Sequence, residues 1–407
     1  MQKNRSVMYA IALLQGMVFY SPIATLYRQA QGVTVFQITV IESVSLALGI
    51  LLEIPWGVVA DRIGYRNTMI FCSGLYFVSK LVFWRATGFG GFLSERIMLS
   101  VVLAGVSGVD SSILYLSCQE KDAQKVFGIY NSLGMVGLLM SAAVFSLFVE
   151  DDYALAGLLT VISYGLAALL SLGITEVKQL QLEKAPPEPF KTTVQKTFRN
   201  RPLLLFLIAV ALMSETHQTV TVFLNQLQYE RCGLPSSAIG FVYLIATLLG
   251  LLGVYSSAVT RRVGLSHSLT LFCGLAIASC LVLGLTRHAF PSVMGIFTLR
   301  ICDTLFQPFQ AEIQNRQVKS ANRATALSVY AMFTDGIGIG TNLIFGALSD
   351  WSLPSAFFFG GGICTLSLML FSFWRKQTPD FQASPPVLEP TKENHSCAKR
   401  SGQTASD

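Results

Sequence analysis

The sequence predicts an all-α polytopic membrane protein, with twelve transmembrane helices in two pseudo-symmetric six-helix bundles. Three observations predict it. The 407-residue chain is 52% hydrophobic and only 13% charged, and its apolar runs recur at the length of about 20 residues that crosses a bilayer core of roughly 30 Å. If both ends face the cytoplasm, 22 of the 29 Lys and Arg lie on the cytoplasmic side, with only Arg28, Arg85, Arg231 and Arg287 opposite, as the positive-inside rule requires for an even number of spans. A single long polar segment, 175–201, carries the run PPEP and separates six spans from six.

The spans follow in order. Span 1 (7–27) starts after Lys3 and Arg5 and lacks a small-residue cleavage site, so it is read as retained. Span 2 (34–58) contains Glu42 and Glu53 and leaves the membrane at Pro55, span 3 (67–86) holds Lys80, and span 4 (93–117) holds Arg96 and Asp110. Spans 5 (126–149) and 6 (153–174) are almost uncharged. The second half repeats the scheme at 202–227, 236–259, 267–286, 290–314, 324–348 and 353–374. The domains are thus an N-terminal bundle (1–174), a cytoplasmic linker (175–201), a C-terminal bundle (202–376) and a polar tail (377–407) whose composition predicts disorder.

The halves can be superposed in sequence. Ala60-Asp61-Arg62-Ile63-Gly64 aligns with Thr260-Arg261-Arg262-Val263-Gly264 between the second and third span of each half, Tyr130 meets Tyr330, and Arg96 meets Arg300 four residues out of register. Duplicated six-helix units are common among secondary transporters.

Gly57-Val58-Val59-Ala60-Asp61-Arg62-Ile63-Gly64-Tyr65-Arg66 resembles the G-x-x-x-D-R-x-G-R/K-R/K loop between helices 2 and 3 of major facilitator superfamily transporters, and the resemblance extends over residues 7–375. It implies a conformational latch formed by Gly57, Asp61, Arg62, Gly64 and Arg66, with Asp61 near the N-terminus of helix 11. A carboxylate there gains about 0.3–1 kcal/mol from the helix dipole when exposed, and about 2 when partly buried. Tyr65 departs from the pattern, which usually has a basic residue at that position, so any charge relay falls to Arg66.

Ionised side chains inside a bilayer cost at least about 2.5–3.5 kcal/mol on insertion scales, so they face a cavity or one another. On span 10, Arg300, Asp303, Gln307, Gln310 and Gln314 recur at helical spacing on one face. Span 7 does the same with Ser214, Gln218, Thr221, Asn225 and Gln228, flanked by Glu215 and His217, and span 4 with Arg96, Ser100, Ser107, Asp110 and Ser117. Span 1 contributes Pro22, Thr25 and Gln29. The resemblance implies that spans 1, 4, 7 and 10 line the substrate cavity. The expected cavity residues are therefore Thr25, Arg96, Ser107, Asp110, Glu215, Gln218, Asn225, Arg300, Asp303, Gln307 and Gln310; buried Ser, Thr and Gln that only join helices are the alternative. Lys80 either snorkels outward or pairs with an acid.

Glu215, Asp303, Glu42, Asp335 and Asp110 are the candidates for carrying a coupling proton, because withdrawal from water favours the neutral form of a carboxyl. Glu215 and Asp303 accompany the polar stripes. Eight scattered cysteines and four histidines form neither a disulfide framework nor a metal-ligand pattern. No Walker loop, dinucleotide glycine pattern or H-E-x-x-H motif is present, so neither an enzyme nor a cofactor is expected, and the basic residues are spread over many short loops, so no nucleic-acid partner is expected either. The partners expected are a small-molecule substrate, protons and the lipid bilayer, for a monomer in the cell membrane with both termini cytoplasmic. Similarity of the loop, the RATALS segment at 323–328 and the compact length to bacterial drug and metabolite exporters implies proton-coupled efflux. Span 5 keeps Gly134 and Gly137 but lacks the proline of the antiport signature, so proton-coupled uptake or a non-transporting sensor remain alternatives.

Overall fold

The computed structural model describes residues 2–118, 123–149, 152–177, 190–317 and 323–378. Among these, the chain is helical throughout and forms α1 (Gln2–Gly16), α2 (Ala24–Ala30), α3 (Val35–Ile63), α4 (Tyr65–Arg85), α5 (Gly88–Val106), α6 (Val109–Leu116), α7 (Ala123–Val144) and α8 (Tyr153–Ser171). After the short linker helix α9 (Phe190–Arg199) come α10 (Arg201–Gln218), α11 (Asn225–Arg231), α12 (Ser236–Leu249), α13 (Ser256–Val263), α14 (Leu265–Leu285), α15 (Ala289–Gln317), α16 (Arg323–Trp351) and α17 (Leu353–Gln377). Eleven helical stretches among the described residues are long and apolar enough to cross a membrane. The remaining predicted span is α4, 21 residues long and made less apolar by Asn67 and Lys80.

Local sequence explains the boundaries. Thr34 caps α3 through a reciprocal capping box with Gln37, and Asp152 and Asn200 cap α8 and α10 by accepting from Leu155 and Leu203 N–H. The α3–α4 and α13–α14 turns each pivot on one residue of positive φ, Gly64 (88°) and Gly264 (80°), with the same ψ of 152°. Only glycine adopts that conformation without strain, so the sequence repeat at these turns is matched by a repeated backbone geometry. Pro55 lies inside α3, which continues to Ile63 and does not end at residue 58.

Several predicted single spans are interrupted. Span 1 leaves helical form after Gly16 and re-enters through the 3-10 turn Ser21–Ile23. Span 4 breaks at Ser107–Gly108, where Gly108 has φ 81°. Span 7 contains the π-helical turn Thr219–Leu224, and span 8 the 3-10 turn Gly250–Tyr255. Such breaks persist in a membrane only where other groups satisfy the freed backbone. Phe19 N–H donates to Thr160 Oγ1 (3.0 Å), and Thr25 N–H donates to Gln226 Oε1 (2.7 Å) across the two halves.

The N-terminal bundle packs α1 on α7, α4 on α5 and α8, and α3 on α5; the C-terminal bundle packs α14 on α15 and α17, and α10 on α16 and α17. Gly16, Gly134 and Gly137 permit the closest approach: a Cβ on Gly137 would lie 2.1 Å from Leu13 O. Phe148, Leu169, Leu285 and Phe290 point outward and are at least 65% exposed, the apolar surface a lipid-facing wall presents. One end of the molecule is identified by contacts around the chain start and the linker. Asn4 Nδ2 donates to Thr175 O (2.9 Å), and Arg66 Nε donates to Ile174 O (2.8 Å).

Candidate functional site: a charged cavity between the bundles

The halves meet mainly at the end opposite the termini. There, α3 lies against α16: Val35 N–H donates to Asp350 Oδ1 (3.0 Å), Ser43 Oγ donates to Ile339 O (3.4 Å), and Gly346 takes Thr39 against its backbone. Gly240 of α12 likewise receives Ser146 and Phe145. Below this seal sits a cavity of about 300 Å³ lined from both bundles.

Its N-terminal wall is ionic. Glu42 of α3 receives a hydrogen bond from Arg96 of α5, and Arg28 Nη1 of α2 lies 3.9 Å from the other oxygen of the same carboxylate. Beside them, Lys80 Nζ of α4 donates to Glu95 Oε1 (3.2 Å) and to Tyr20 Oη (3.0 Å). The Lys80 and Glu95 side chains are 5% and 1% exposed, so this pair is almost fully withdrawn from solvent although it borders the cavity. Tyr20 is held flat against Phe83, with ring centroids 4.0 Å apart. Ser45 and Ser100 hydroxyls, 2.7 Å apart, tie α3 to α5 one turn from Arg96.

The C-terminal wall supplies Gln218, Thr221 and Asn225 from span 7, Tyr243 and Thr247 from α12, and Arg300 from α15. Arg300 Nη1 lies 3.7 Å from Asp303 Oδ2, and Gln307 Nε2 donates to the same carboxylate at 3.1 Å. The 3-4 spacing read from the sequence thus forms a side-chain chain along one face of α15.

Of the eleven expected cavity residues, Arg96, Gln218, Asn225 and Arg300 are on the wall. Thr25 is buried beside it and uses its backbone N–H to bind Gln226. Asp303, Gln307 and Gln310 continue the α15 stripe beyond the wall; Gln310 Oε1 accepts from Ser214 Oγ at 3.3 Å. Glu215 is set against Gly338 of α16, with the Thr219 hydroxyl 3.3 Å from its Oε1 and 2.9 Å from Asn342 Oδ1. Ser107 and Asp110 flank the break in span 4, where Asp110 is hydrogen-bonded to Tyr130 of α7, away from the wall. Asp335 is half-buried on α16, one turn before Gly338.

The burial of Gly57 and the side chain of Asp61 lie outside what is described, Arg62 is exposed, and Gly64 forms the α3–α4 turn. Arg66 serves as an anchor to the end of α8 through Ile174, and its N–H reaches Glu176 Oε1 (3.4 Å).

Two residues correct the sequence reading. Arg28, assigned there to an outer loop, is in α2 with its side chain 7% exposed, because the helix runs on to Ala30 and does not end at residue 27. Glu95 went unnoticed, although a signal existed. Lys80 precedes the α4–α5 turn at 86–87 by about as many residues as Glu95 follows it, so antiparallel spans place them at equal depth. Lys80 accordingly pairs with an acid and does not snorkel.

A family model described as "Major Facilitator Superfamily" matches residues 6–341. No curated protein matches the chain. Three solved structures superpose over nearly their full length. The nucleoside transporter NupG has a TM-score of 0.75 and 16% identity, covering 92% of this chain and 99% of that one. A bacterial homolog of the human lysosomal transporter Spinster, inward-facing and unoccupied, has a TM-score of 0.73 and 15% identity, covering 95% and 100%. A POT family transporter in complex with 5-aminolevulinic acid has a TM-score of 0.69 and 15% identity, covering 92% and 96%. With the family match spanning most of the sequence and the twelve-helix, two-bundle architecture in place, the chain belongs to the major facilitator superfamily.

Proposed function

We propose that this protein is a proton-coupled secondary transporter that moves a small polar organic solute by alternating access. The observation that carries the reading is the cavity itself: it lies between two bundles, is sealed at one end by α3–α16 and α7–α12 contacts, and exposes ionic groups from both halves. Closure at the opposite end, with release of the present seal, presents the same wall to the other side. Of the drug or metabolite that resemblance to exporters implied, a wall rich in charge suits a polar metabolite better. Glu215 is the proposed proton carrier. It is the acid set between the first span of the C-terminal bundle and gate helix α16, so its charge state acts on the helix whose packing seals the cavity.

The test is transport by the purified protein in proteoliposomes under an imposed pH gradient, with a metabolite mixture followed by mass spectrometry. Gradient-driven movement abolished by a protonophore is expected, and its sign gives the direction. Movement that persists unchanged without the gradient removes the coupling, and no movement of any solute removes the transport reading.

A further inference from the structure

The balance of charge around the cavity is uneven. Four cations, Arg28, Lys80, Arg96 and Arg300, share the wall with two carboxylates, Glu42 and Glu95. Asp303, which pairs with Arg300 from outside the wall, raises the acids to three, still one short by formal charge. Lys80 is fully engaged by Glu95 and Tyr20, and Arg96 holds Glu42 directly. The deficit therefore falls on Arg28 and Arg300. Arg28 is 6% exposed; among the described residues its one carboxylate neighbour is 3.9 Å away and shared, and its Nε, like that of Arg96, has no hydrogen-bond partner. Arg300 reaches the cavity from the other bundle with its side chain about a third exposed, and its acid is 3.7 Å away.

A guanidinium withdrawn from water without a full complement of acceptors is costly, and its planar fork matches a carboxylate in two parallel hydrogen bonds. We infer that the cargo is a small organic anion, a carboxylate-bearing metabolite whose acid group is held between Arg28 and Arg300. Gln218, Thr221 and Asn225 would receive its neutral polar groups, and Tyr20 and Tyr243 its carbon skeleton. A volume of about 300 Å³ is at the lower limit of small-molecule sites, which restricts the cargo to compact acids. Held between opposite bundles, such an anion is bound fully only when both arginines converge, so occupancy is tied to the closed geometry. This inference rests on the transport reading for its biological meaning, but binding can be measured without transport.

The experiment uses the full chain in nanodiscs and two probe trios that differ only in their end groups: phenylacetate, phenylacetamide and phenethylamine; and succinate, succinamide and 1,4-diaminobutane. Thermal-shift titration is expected to show stabilisation by the acid of at least one trio and none by its amide or amine. A charge-assisted hydrogen bond is worth about 1.5–3 kcal/mol, so Arg28→Gln and Arg300→Gln should each weaken acid binding roughly tenfold or more. Arg300, being less buried, provides the second variant should Arg28→Gln fold poorly. Stabilisation by an amine in preference to its acid, no stabilisation by either acid, or wild-type acid affinity in both variants overturns the inference. The same probes in proteoliposomes separate the two claims: an acid that binds but never moves defeats the transport reading alone, whereas movement of an amine and not its acid defeats only the anion assignment.

Discussion

Removing Glu95 while leaving Lys80 in place probes the ionic wall most sharply. The side chain of Lys80 is 5% exposed and, among the described residues, has one carboxylate partner, Glu95 Oε1 at 3.2 Å. Its other contacts are the Tyr20 hydroxyl at 3.0 Å and the faces of Tyr20, Tyr76 and Tyr164, 5.3–5.8 Å from the ring centroids. Cation–π attraction supplies about 0.5–2 kcal/mol and is present in both wild type and variant, so it cannot offset the lost carboxylate. Breaking a buried pair by removing one member typically costs about 3–5 kcal/mol, whereas replacing both members by apolar groups of similar volume is often neutral or stabilising. Glu95→Ala should therefore lower the unfolding free energy by about 3–5 kcal/mol, and the double variant Lys80→Met/Glu95→Leu should recover most of it. Reversible unfolding in mixed micelles of mild detergent and dodecyl sulfate measures both. A single variant within about 0.5 kcal/mol of wild type, the level of an ordinary surface substitution, would refute the argument that the pair is shielded. A double variant as unstable as the single would show that the loss comes from packing. Recovery of stability in the double variant without recovery of solute binding would place the pair's role in the cavity.

Three further outcomes are expected. Glu215→Gln should leave solute binding intact and abolish gradient-driven accumulation in proteoliposomes; unchanged accumulation removes Glu215 as proton carrier. Asp61→Asn should slow turnover at least several-fold with binding retained, since a dipole contact of about 0.3–2 kcal/mol present in one state alone is lost; wild-type turnover rejects the latch. Gly346→Ala places a Cβ 1.9 Å from Thr39 Oγ1, so it should push α16 from α3 and populate the conformer open at that end. Unchanged accessibility there to a membrane-impermeant thiol reagent, in a cysteine-free background with a reporter cysteine, counts against the seal.

How much was legible depended on whether one helix at a time carried the information. Span positions and the turn glycines Gly64 and Gly264 follow from hydropathy and backbone conformation, which are local. The α15 stripe was legible for the same reason: Arg300, Asp303 and Gln307 contact one another at spacings fixed by helical geometry. The Arg28–Glu42–Arg96 cluster was not, because it depends on the relative depth and rotation of three helices. The breaks in spans 1 and 7 were invisible to hydropathy, since a π turn or a short 3-10 turn leaves the apolar composition unchanged. The break in span 1 is satisfied by groups distant in sequence, Thr160 and Gln226. Arg28 was assigned to a loop because α2 runs to Ala30, three residues past the predicted end of span 1.

Alternating access between the bundles is the central claim, and distances at the two ends test it most directly. Spin labels at Ala30 and Trp351 report the sealed end, and labels at Tyr115 and Tyr255 the end nearer the termini; all four positions are exposed. Pulsed electron–electron resonance on the full chain in nanodiscs, with and without a bound solute and at two pH values, should give two populations whose distances change in opposite senses: when the Ala30–Trp351 distance lengthens, the Tyr115–Tyr255 distance shortens. One fixed distribution at both ends under every condition, or distances that lengthen together, would contradict the account.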